Sequence, residues 1–430
     1  MNAKANNTID KARKLQRKLY LSAKTNKRRK FHALYDKVYR EDILMKAWKQ
    51  VKANKGIGGI DEIYIDDVVE YGESKLLKEI QQELKENHHN PKPVKRVYIP
   101  KKDGKKRPLG IPIIKDRIVQ TATKIIIEPI FEADFKEYSY GFRPKRNQHQ
   151  ALEIIRKKCN NSGWWVLDAD IKGYFDNINH DKLMILVEQR ISDRRILKLI
   201  RKWLKIGVVE RDRYEESEIG SPQGASISPL LSNIYLNYFD TVWDRYYKHL
   251  GTLVKFADDF IIISRTKKEI YHAYNAVKKI FERLELELNL EKTRFVNMWD
   301  GKEGFDFLGF HHRRSQIESR KGQRYNTTIQ IPCKKAMDNM KKKVKEVLGN
   351  RANLKKEMYE LVKIINRKIV GLRNYYKLKY PNKQLSKIDW YIIQRFTIWY
   401  NSKKQNRPRH RWIKEVVNKL KEMGLKKLAY

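Results

Sequence analysis

Two adjacent acids, Asp258 and Asp259, are the residues of this sequence best suited to hold a metal ion. They follow Thr-Leu-Val-Lys-Phe-Ala at 252–257 and precede Phe-Ile-Ile-Ile-Ser at 260–264. The apolar and β-branched residues on both sides predict two short strands, with the acid pair at the turn between them. Neighbouring carboxylates need a cation to offset their charge, and Mg²⁺ prefers oxygen ligands of this kind. A solvated Asp-Asp turn is the alternative interpretation.

A second acidic segment follows another apolar stretch. Trp-Trp-Val-Leu at 164–167 predicts a strand that leads into Asp168 and Asp170. A carboxylate at the end of a buried strand is costly unless something pairs with it, although either acid could instead cap the helix that starts nearby. Combined with the acid pair, Asp170 could bind two divalent ions. Two such ions clamp the attacking and leaving oxygens of a phosphoryl transfer.

Two further segments could hold a nucleotide. An Asp-Gly pair predicts a hairpin turn that places Lys101 and Arg107 on its two arms, among several other basic residues. Two or three of these cations could converge on a triphosphate, while the others contact backbone or water. The loop around Gln223 is rich in small residues, so a base or sugar could lie against it. A turn followed by a capped helix explains the same loop without a ligand.

The composition points to a polyanionic partner. The chain has 430 residues, and its 94 Lys and Arg against 51 Asp and Glu give a formal net charge of +43. A field of this sign attracts nucleic acid. An anionic membrane is the alternative, but the sequence has no run of about 18 apolar residues and begins without the apolar region of a signal peptide.

Other motifs argue against other chemistry. Cys159 and Cys333 have no second Cys or His at zinc-ligand spacing, so a zinc knuckle is not expected. The glycine-rich loop at 55–61 lacks the Lys-Ser/Thr ending of a P-loop and the strand–turn–helix frame of a dinucleotide fold. Neither ATP nor NAD is therefore implied.

Basic helical patterns flank the acidic segments. Residues 1–40 contain 13 Lys or Arg and 2 acids, and residues 331–430 contain 28 Lys or Arg and 7 acids. The second stretch also carries many aromatic residues, which suit either a grip on structured RNA or the packing of helices against each other.

The segments follow one another in the order of a templated polymerase: basic hairpin, Asp strand, Gly-Gln loop, Asp-Asp hairpin and basic helices. In this order the chain resembles the reverse transcriptases of bacterial and organellar group II introns, also called maturases. The resemblance is carried by residues 55–61, 107–112, 140–144, 170–176, 221–233, 256–259, 307–310 and 371–376.

The resemblance implies an α+β fold. Its right-hand polymerase has fingers and palm built from an antiparallel sheet plus helices, followed by an α-helical thumb or maturase domain. The implied boundaries are 1–90 for an N-terminal extension of basic helices and a Gly-rich loop, 91–160 for the fingers, 161–328 for the palm with part of the fingers, and 329–430 for the basic thumb.

The same resemblance implies roles for individual residues. Asp170, Asp258 and Asp259 are expected to be catalytic and to hold Mg²⁺, with the carbonyl of Ile171 as a further metal ligand. The residues expected to bind the nucleotide are Lys101, Arg107, Phe175, Gln223, Ala225 and Lys292. The residues expected to contact RNA or primer are Arg143, Phe307, Leu308 and Gly309.

Two of these residues have a specific expected task. Phe175 would lie under the sugar and exclude the 2′-hydroxyl, which favours dNTPs. Lys292 would donate a proton to the leaving pyrophosphate. The family that the chain resembles more commonly has Tyr at the position of Phe256. The Phe keeps the aromatic ring and lacks only the hydroxyl.

The expected function is RNA-directed DNA polymerisation by two-metal nucleotidyl transfer, with binding of group II intron RNA that assists splicing and retrohoming. The expected partners are dNTPs, an RNA template and a DNA primer or target, in the bacterial cytoplasm. Because the chain ends at Tyr430, we expect no C-terminal endonuclease. Two alternatives stay open: a related reverse transcriptase outside an intron, in phage defence or beside CRISPR proteins, and an RNA-binding splicing cofactor without polymerase activity.

Overall fold

The chain folds into two compact units in a computed structural model. The described residues are 2–100, 106–161, 163–210, 213–215, 219–220, 224–319, 321–405 and 412–430. Unit 1 consists of Met1–Ile154 and Leu167–Arg294, and unit 2 of Ile155–Val166 and Phe295–Tyr430. Among the described residues, no helix is both long enough and apolar enough to cross a bilayer.

Helices dominate both ends of the chain. They are α1 (Asn2–Thr25), α2 (Tyr35–Val38), α3 (Glu41–Ala53), α4 (Ile65–Tyr71), α5 (Glu73–Lys85), α6 (Ile114–Glu132), α7 (Gln148–Asn160), α8 (His180–Glu188), α9 (Arg194–Lys205), α10 (Ser228–Val242), α11 (Lys267–Arg283), α12 (Lys334–Leu348), α13 (Met358–Tyr376), α14 (Asn382–Lys403) and α15 (Ile413–Glu422).

The strands lie between these helical regions. They are β1 (Val94–Pro100), β2 (Lys106–Ile111), β3 (Trp165–Ala169), β4 (Val208–Glu210), β5 (Arg213–Glu215), β6 (Thr252–Phe256), β7 (Asp259–Ser264), β8 (Arg294–Asn297), β9 (Gly304–Phe307), β10 (Phe310–Glu318) and β11 (Arg324–Pro332). The combination of helices with mainly antiparallel sheets, followed by a helical C-terminal region, confirms the predicted α+β class.

Unit 1 contains the acid pair, Asp170 and the described part of the basic hairpin. One of its sheets has the order β2-β1-β4-β5, and β1 pairs antiparallel with β2. The pairing of Ile99 with Arg107 confirms that Arg107 begins the returning strand. In a second sheet, β6 and β7 form an antiparallel hairpin, and β3 lies beside β7.

An aromatic cluster supports the β6–β7 hairpin. Phe239 of α10 lies 5.4 Å from Phe260 of β7 and 5.2 Å from Phe281 of α11, measured between ring centroids. All three rings are buried, and edge-to-face pairs of this kind contribute about 0.5–1.5 kcal/mol each beyond their burial. The two helices and the strand are thereby held in one rigid core.

Unit 2 combines a three-stranded antiparallel sheet, in the order β11-β10-β9, with α12–α15. Its aromatic residues divide between the two roles that the sequence left open. Tyr376, Trp399 and Tyr400 are buried and pack helices together, whereas Trp390 and Trp412 are about half exposed.

Candidate active site

The acid pair lies at the tip of the β6–β7 hairpin. Phe256 pairs with Asp259 across the turn, and Ala257 adopts the left-handed conformation with a φ of 58°. Gly141 lies directly against this turn, since a Cβ atom on it would come within 2.8 Å of the Cα of Ala257. The tip of the hairpin is therefore fixed by backbone packing as well as by its own strands.

Asp170 follows β3, the strand beside β7. Its Oδ2 accepts hydrogen bonds from Lys292 Nζ at 2.5 Å and from Asn289 Nδ2 at 3.4 Å. The backbone N–H of Asn289 donates to the carbonyl of Asp170 at 2.8 Å, and the buried Ile171 pairs with Leu288. The segment after α11 therefore fixes the position of Asp170.

The charge of Asp170 acts on both acids at the tip of the hairpin. Burial raises the pKa of Asp258, and the charge of Asp170 raises it further, while Arg107 and Lys292 oppose the rise. Burial, followed by the charges of Asp258 and Asp170, raises the pKa of Asp259 to about 7. The carboxylate of Asp259 still reaches solvent, and water there screens part of this repulsion. Like charges that crowd in this way favour a bound cation.

The donor set at the tip fits a hard divalent ion. In the part of the chain that the structure describes, no group of three His, Cys, Asp or Glu side chains is already arranged to hold a metal ion. Lys292 instead donates to one oxygen of Asp170, and its pKa is raised by that hydrogen bond. A divalent ion prefers carboxylate oxygens and would offset the charge that Lys292 now offsets in part.

The structure describes the positions of some, but not all, of the predicted nucleotide-binding residues. Arg107 is exposed on β2, and its charge acts on Asp258, so it lies on the same side of unit 1 as the acids. Ala225 is buried. Lys101 and Gln223 lie outside the described residues, so their roles stay predictions.

Gly224, which follows Gln223, packs against the strand that carries Arg107. Gly224 has a φ of 117°, and a Cβ atom there would lie 2.7 Å from the carbonyl oxygen of Gly110 in β2. The backbone N–H of Ser226 donates to the side-chain oxygen of Gln120 in α6 at 2.9 Å. The absence of a side chain at Gly224 thus permits a close backbone approach, and that contact alone accounts for this glycine.

Phe175 lies in a short 3₁₀ turn that follows Asp170. Its ring contacts that of Tyr174 edge-on at 5.3 Å, and it is mostly buried. The hydroxyl of Tyr174 donates to the carbonyl of Ser232 in α10 at 2.6 Å, which anchors the turn. The expected exclusion of the 2′-hydroxyl by Phe175 stays a prediction.

Arg143 has a different environment from the one expected for an RNA contact. Its side chain is buried and forms an ion pair with Glu132 at 2.7 Å. It also donates to the carbonyl of Ser139 at 2.6 Å. These contacts give the guanidinium a structural role in the loop at 138–144, and its expected contact with RNA stays a prediction.

Phe307, Leu308 and Gly309 form the turn between β9 and β10 in unit 2. Phe307 is buried, and Leu308 and Gly309 both have positive φ angles, 50° and 76°. The hydroxyl of Tyr375 donates to the carbonyl of Leu308 at 2.9 Å. The turn is rigid, and its proposed contact with primer is untested.

One supporting group was missed from the sequence. Lys255, three residues before Asp258, is 1% exposed, and its Nζ lies 2.6 Å from Oδ2 of the equally buried Asp240 in α10. Its backbone pairs with the loop that contains Ser139, since the N–H of Tyr140 donates to the carbonyl of Lys255 at 2.9 Å. A lysine inside an apolar strand was the available signal, because a buried charge requires a partner.

Comparison with known proteins identifies the family. The family "Reverse transcriptase (RNA-dependent DNA polymerase)" matches residues 99–312, and "Group II intron, maturase-specific domain" matches residues 337–417. Protein YkfC of Escherichia coli (strain K12) is 34% identical over 366 residues, which are 75% of this chain and 93% of that protein. The chain belongs to the group II intron reverse transcriptase/maturase family.

Other similarities cover less of the compared proteins. Group II intron-encoded protein LtrA of Lactococcus lactis subsp. cremoris is 38% identical over 269 residues, which are 62% of this chain but 43% of LtrA. A solved partial Cas6-RT-Cas1--Cas2 complex has 23% identity and a TM-score of 0.36, and the match covers 59% of this chain and 42% of that one. So weak a likeness carries no functional conclusion. As a member of this family, the chain is an RNA-directed DNA polymerase with a maturase-specific domain. Reverse transcriptases generally use divalent metal ions.

Proposed function

We propose that the acid cluster of unit 1 catalyses the addition of dNTPs to a DNA primer on an RNA template. The observation that carries this proposal is the placement of Asp170, Asp258 and Asp259 at the ends of neighbouring strands, where the charge of Asp170 raises the pKa values of Asp258 and Asp259. Folding alone gains nothing from crowding three carboxylates. Crowding is useful where a cation and a phosphate chain must be held.

Mg²⁺ is the proposed metal. Asp170, Asp258 and Asp259 would hold it, with the carbonyl of Ile171 as a further ligand. When bound, two such ions neutralise charge on the attacking and leaving oxygens. This type of reaction depends on positioning and charge more than on a side-chain base.

The surrounding residues would orient the nucleotide. Arg107, with Lys101, would bind the triphosphate, and Gln223 and Ala225 would line the nucleotide and template side. Phe175 would exclude a 2′-hydroxyl from the sugar site. The hydrogen bond from Lys292 to Asp170 keeps its ammonium protonated, which suits a group that donates a proton to pyrophosphate.

A second proposed activity is the binding of group II intron RNA, which assists splicing and retrohoming. The maturase-specific match at 337–417 and the net positive charge of residues 331–430 support it. We propose the domain boundaries 1–90, 91–160, 161–328 and 329–430 for extension, fingers, palm and thumb. The bacterial relatives favour action in a bacterial cytoplasm.

Primer extension tests the polymerase proposal. Purified protein with poly(rA)/oligo(dT), dTTP and Mg²⁺ should extend the primer, and Asp258→Asn/Asp259→Asn should reduce extension to background. Asp66→Asn/Glu70→Gln on the exposed face of α4 makes the same change in charge and should leave extension unchanged. Equal extension by wild type and the Asp258/Asp259 variant would refute the proposed site.

Splicing of an intron substrate tests the second activity. The Asp258→Asn/Asp259→Asn variant should still promote splicing, because RNA binding does not need the acids. If wild type binds intron RNA but never extends a primer, the alternative of a splicing cofactor without polymerase activity would replace our proposal.

A further inference from the structure

A basic cavity of about 770 Å³ lies in unit 1, along α9. We call it the α9 groove. Its described lining includes Glu188 as the one carboxylate, and it contains none of the described residues assigned above to metal, nucleotide or primer. The cations that line it are Lys30, Arg194, Lys198, Arg201, Lys202 and Lys205.

The groove is a rigid feature of the fold. Phe31 forms a parallel bridge with Ile191, and its N–H donates to the carbonyl of Arg190 at 2.8 Å. Asp193 caps α9 and also accepts from the backbone N–H groups of Leu34 and Tyr35 at 2.8 and 2.9 Å. The segment that carries Lys30 is therefore fixed against the start of α9.

Helix α9 is amphipathic, with an apolar face that is buried and a basic face that is exposed to solvent. Ile196, Ile200 and Trp203 are buried on one face. Lys198 and Lys205 are exposed on the opposite face. Burial of the apolar face fixes the helix, so the charged face is presented without further ordering.

Only part of the positive charge is neutralised inside the protein. Arg201 forms an ion pair with Glu188 at 2.7 Å, and Lys202 donates to the carbonyl of His89 and the side chain of Asn90, both at 3.2 Å. The remaining cations are exposed and have no ion-pair partner among the described residues; they are Lys30, Arg194, Lys198 and Lys205. Four unpaired charges around one concave surface attract anionic partners.

We propose that the α9 groove binds the phosphate backbone of double-helical RNA. The inference rests on the proposed RNA-binding function and locates one site for it. Among the residues that the structure describes, no aromatic side chain lines the groove, whereas sites for single strands combine cations with aromatic rings on which bases stack. Duplex RNA is recognised mainly through its shape and through contacts with phosphates and 2′-hydroxyls, and cations can make the phosphate contacts without aromatic rings.

The test compares two variants with equal changes in charge. The groove variant is Lys30→Gln/Arg194→Gln/Lys198→Gln/Lys205→Gln, and the control is Lys248→Gln/Lys268→Gln/Lys278→Gln/Lys279→Gln, at exposed positions elsewhere in unit 1. Binding of a hairpin RNA of about 16 base pairs and of a single-stranded RNA of equal length is followed by fluorescence anisotropy over a range of salt concentrations.

The groove variant should bind the hairpin at least about ten-fold more weakly than the control variant. The plot of log K against log salt should also be less steep for the groove variant, by about 3 to 4 in the magnitude of its negative slope. Its affinity for the single strand should change no more than that of the control. Primer extension on saturating poly(rA)/oligo(dT) should be unaffected, so failure of this proposal is distinguishable from failure of the polymerase proposal.

Three outcomes would overturn the assignment. Equal hairpin affinity and slope in the two variants would show that the groove does not bind RNA. An equal loss for hairpin and single strand would exclude duplex recognition. Loss of binding to vesicles rich in anionic lipid, with hairpin binding intact, would identify a membrane contact instead.

Discussion

Gly141 packs directly against the turn that carries the acid pair. A Cβ atom on it would lie 2.8 Å from the Cα and 2.9 Å from the Cβ of Ala257. Gly141→Ala must therefore displace the turn that carries Asp258, and displacement of a reacting group by about 1 Å costs on the order of 100-fold in rate. We expect primer extension to fall at least about ten-fold.

Gly371 provides a matched control for this substitution. It lies within α13, and a Cβ atom there would meet nothing within 4 Å. Gly371→Ala should leave extension intact and stabilise the helix by up to about 1 kcal/mol. If Gly141→Ala retained full activity at an unchanged melting temperature, the close packing against the catalytic turn would not be needed for activity.

Asp259 should make the metal-free protein sensitive to pH. Its pKa is about 7 in the folded chain against a usual value of 3.8, because burial and neighbouring acids disfavour its charge. The folded state therefore binds the proton more tightly than the unfolded state. The resulting stability is complete below about pH 4 and is lost as the pH rises through about 7.

Thermal melts in EDTA measure this effect. The melting temperature of wild type minus that of Asp259→Asn should decrease between pH 5 and pH 8, since the amide does not titrate. Excess Mg²⁺ should reduce the decrease, because a bound cation compensates the charge. Parallel curves for the two proteins would show that Asp259 has an ordinary pKa.

At the scale of elements, α10 and β6 are joined by a buried ion pair. Lys255 and Asp240 are each 1% exposed, and the Nζ–Oδ2 distance is 2.6 Å. Removing one partner leaves an uncompensated charge, which costs about 3–5 kcal/mol, whereas replacing both with apolar groups is often close to neutral.

Lys255→Met and Asp240→Leu should each lower the free energy of unfolding strongly, and the double variant should recover much of the loss. Urea denaturation followed by circular dichroism gives the three values. If the loss in free energy of unfolding of the double variant equalled the sum of the two single losses, the ion pair would contribute no mutual stabilisation. Activity of the double variant then shows whether the charges matter for positioning the acid pair beyond stability.

The strands that carry the acids are predictable because their apolar residues are local signals. The patterns around 164–170 and 252–264 define β3, β6 and β7 without knowledge of their partners. Lys255 and Arg143 are not predictable in this way. Lys255 stands out as a lysine within an apolar strand, but only the folded chain shows that Asp240 lies against it and that Glu132 lies against Arg143.

The site is likewise only partly predictable. The acids are recognisable because three carboxylates recur at strand ends, a pattern with a chemical reason. Gly141 contacts the turn at Ala257, and Gly224 contacts Gly110. Both are tertiary contacts between segments that are distant in the sequence. No local pattern encodes which backbone will approach a glycine, so these supports emerge only from the structure.

At the scale of the whole molecule, the net charge of +43 should limit stability at low salt. Like charges on a compact chain repel, and the unfolded chain relieves this repulsion by separating them. The screening length falls from roughly 14 Å at 0.05 M to about 6 Å at 0.3 M salt, so repulsion across the surface weakens over this range. We expect the melting temperature to rise when NaCl is increased between these concentrations.

The groove variant provides the internal control, since it carries four fewer positive charges at exposed positions. Its melting temperature should exceed that of wild type at low salt, and the difference should shrink as salt increases. Duplex RNA should also stabilise wild type at low salt, through binding to the folded state, and should stabilise the groove variant less. A wild-type melting temperature that falls with added NaCl would show that local ion pairs outweigh the net repulsion.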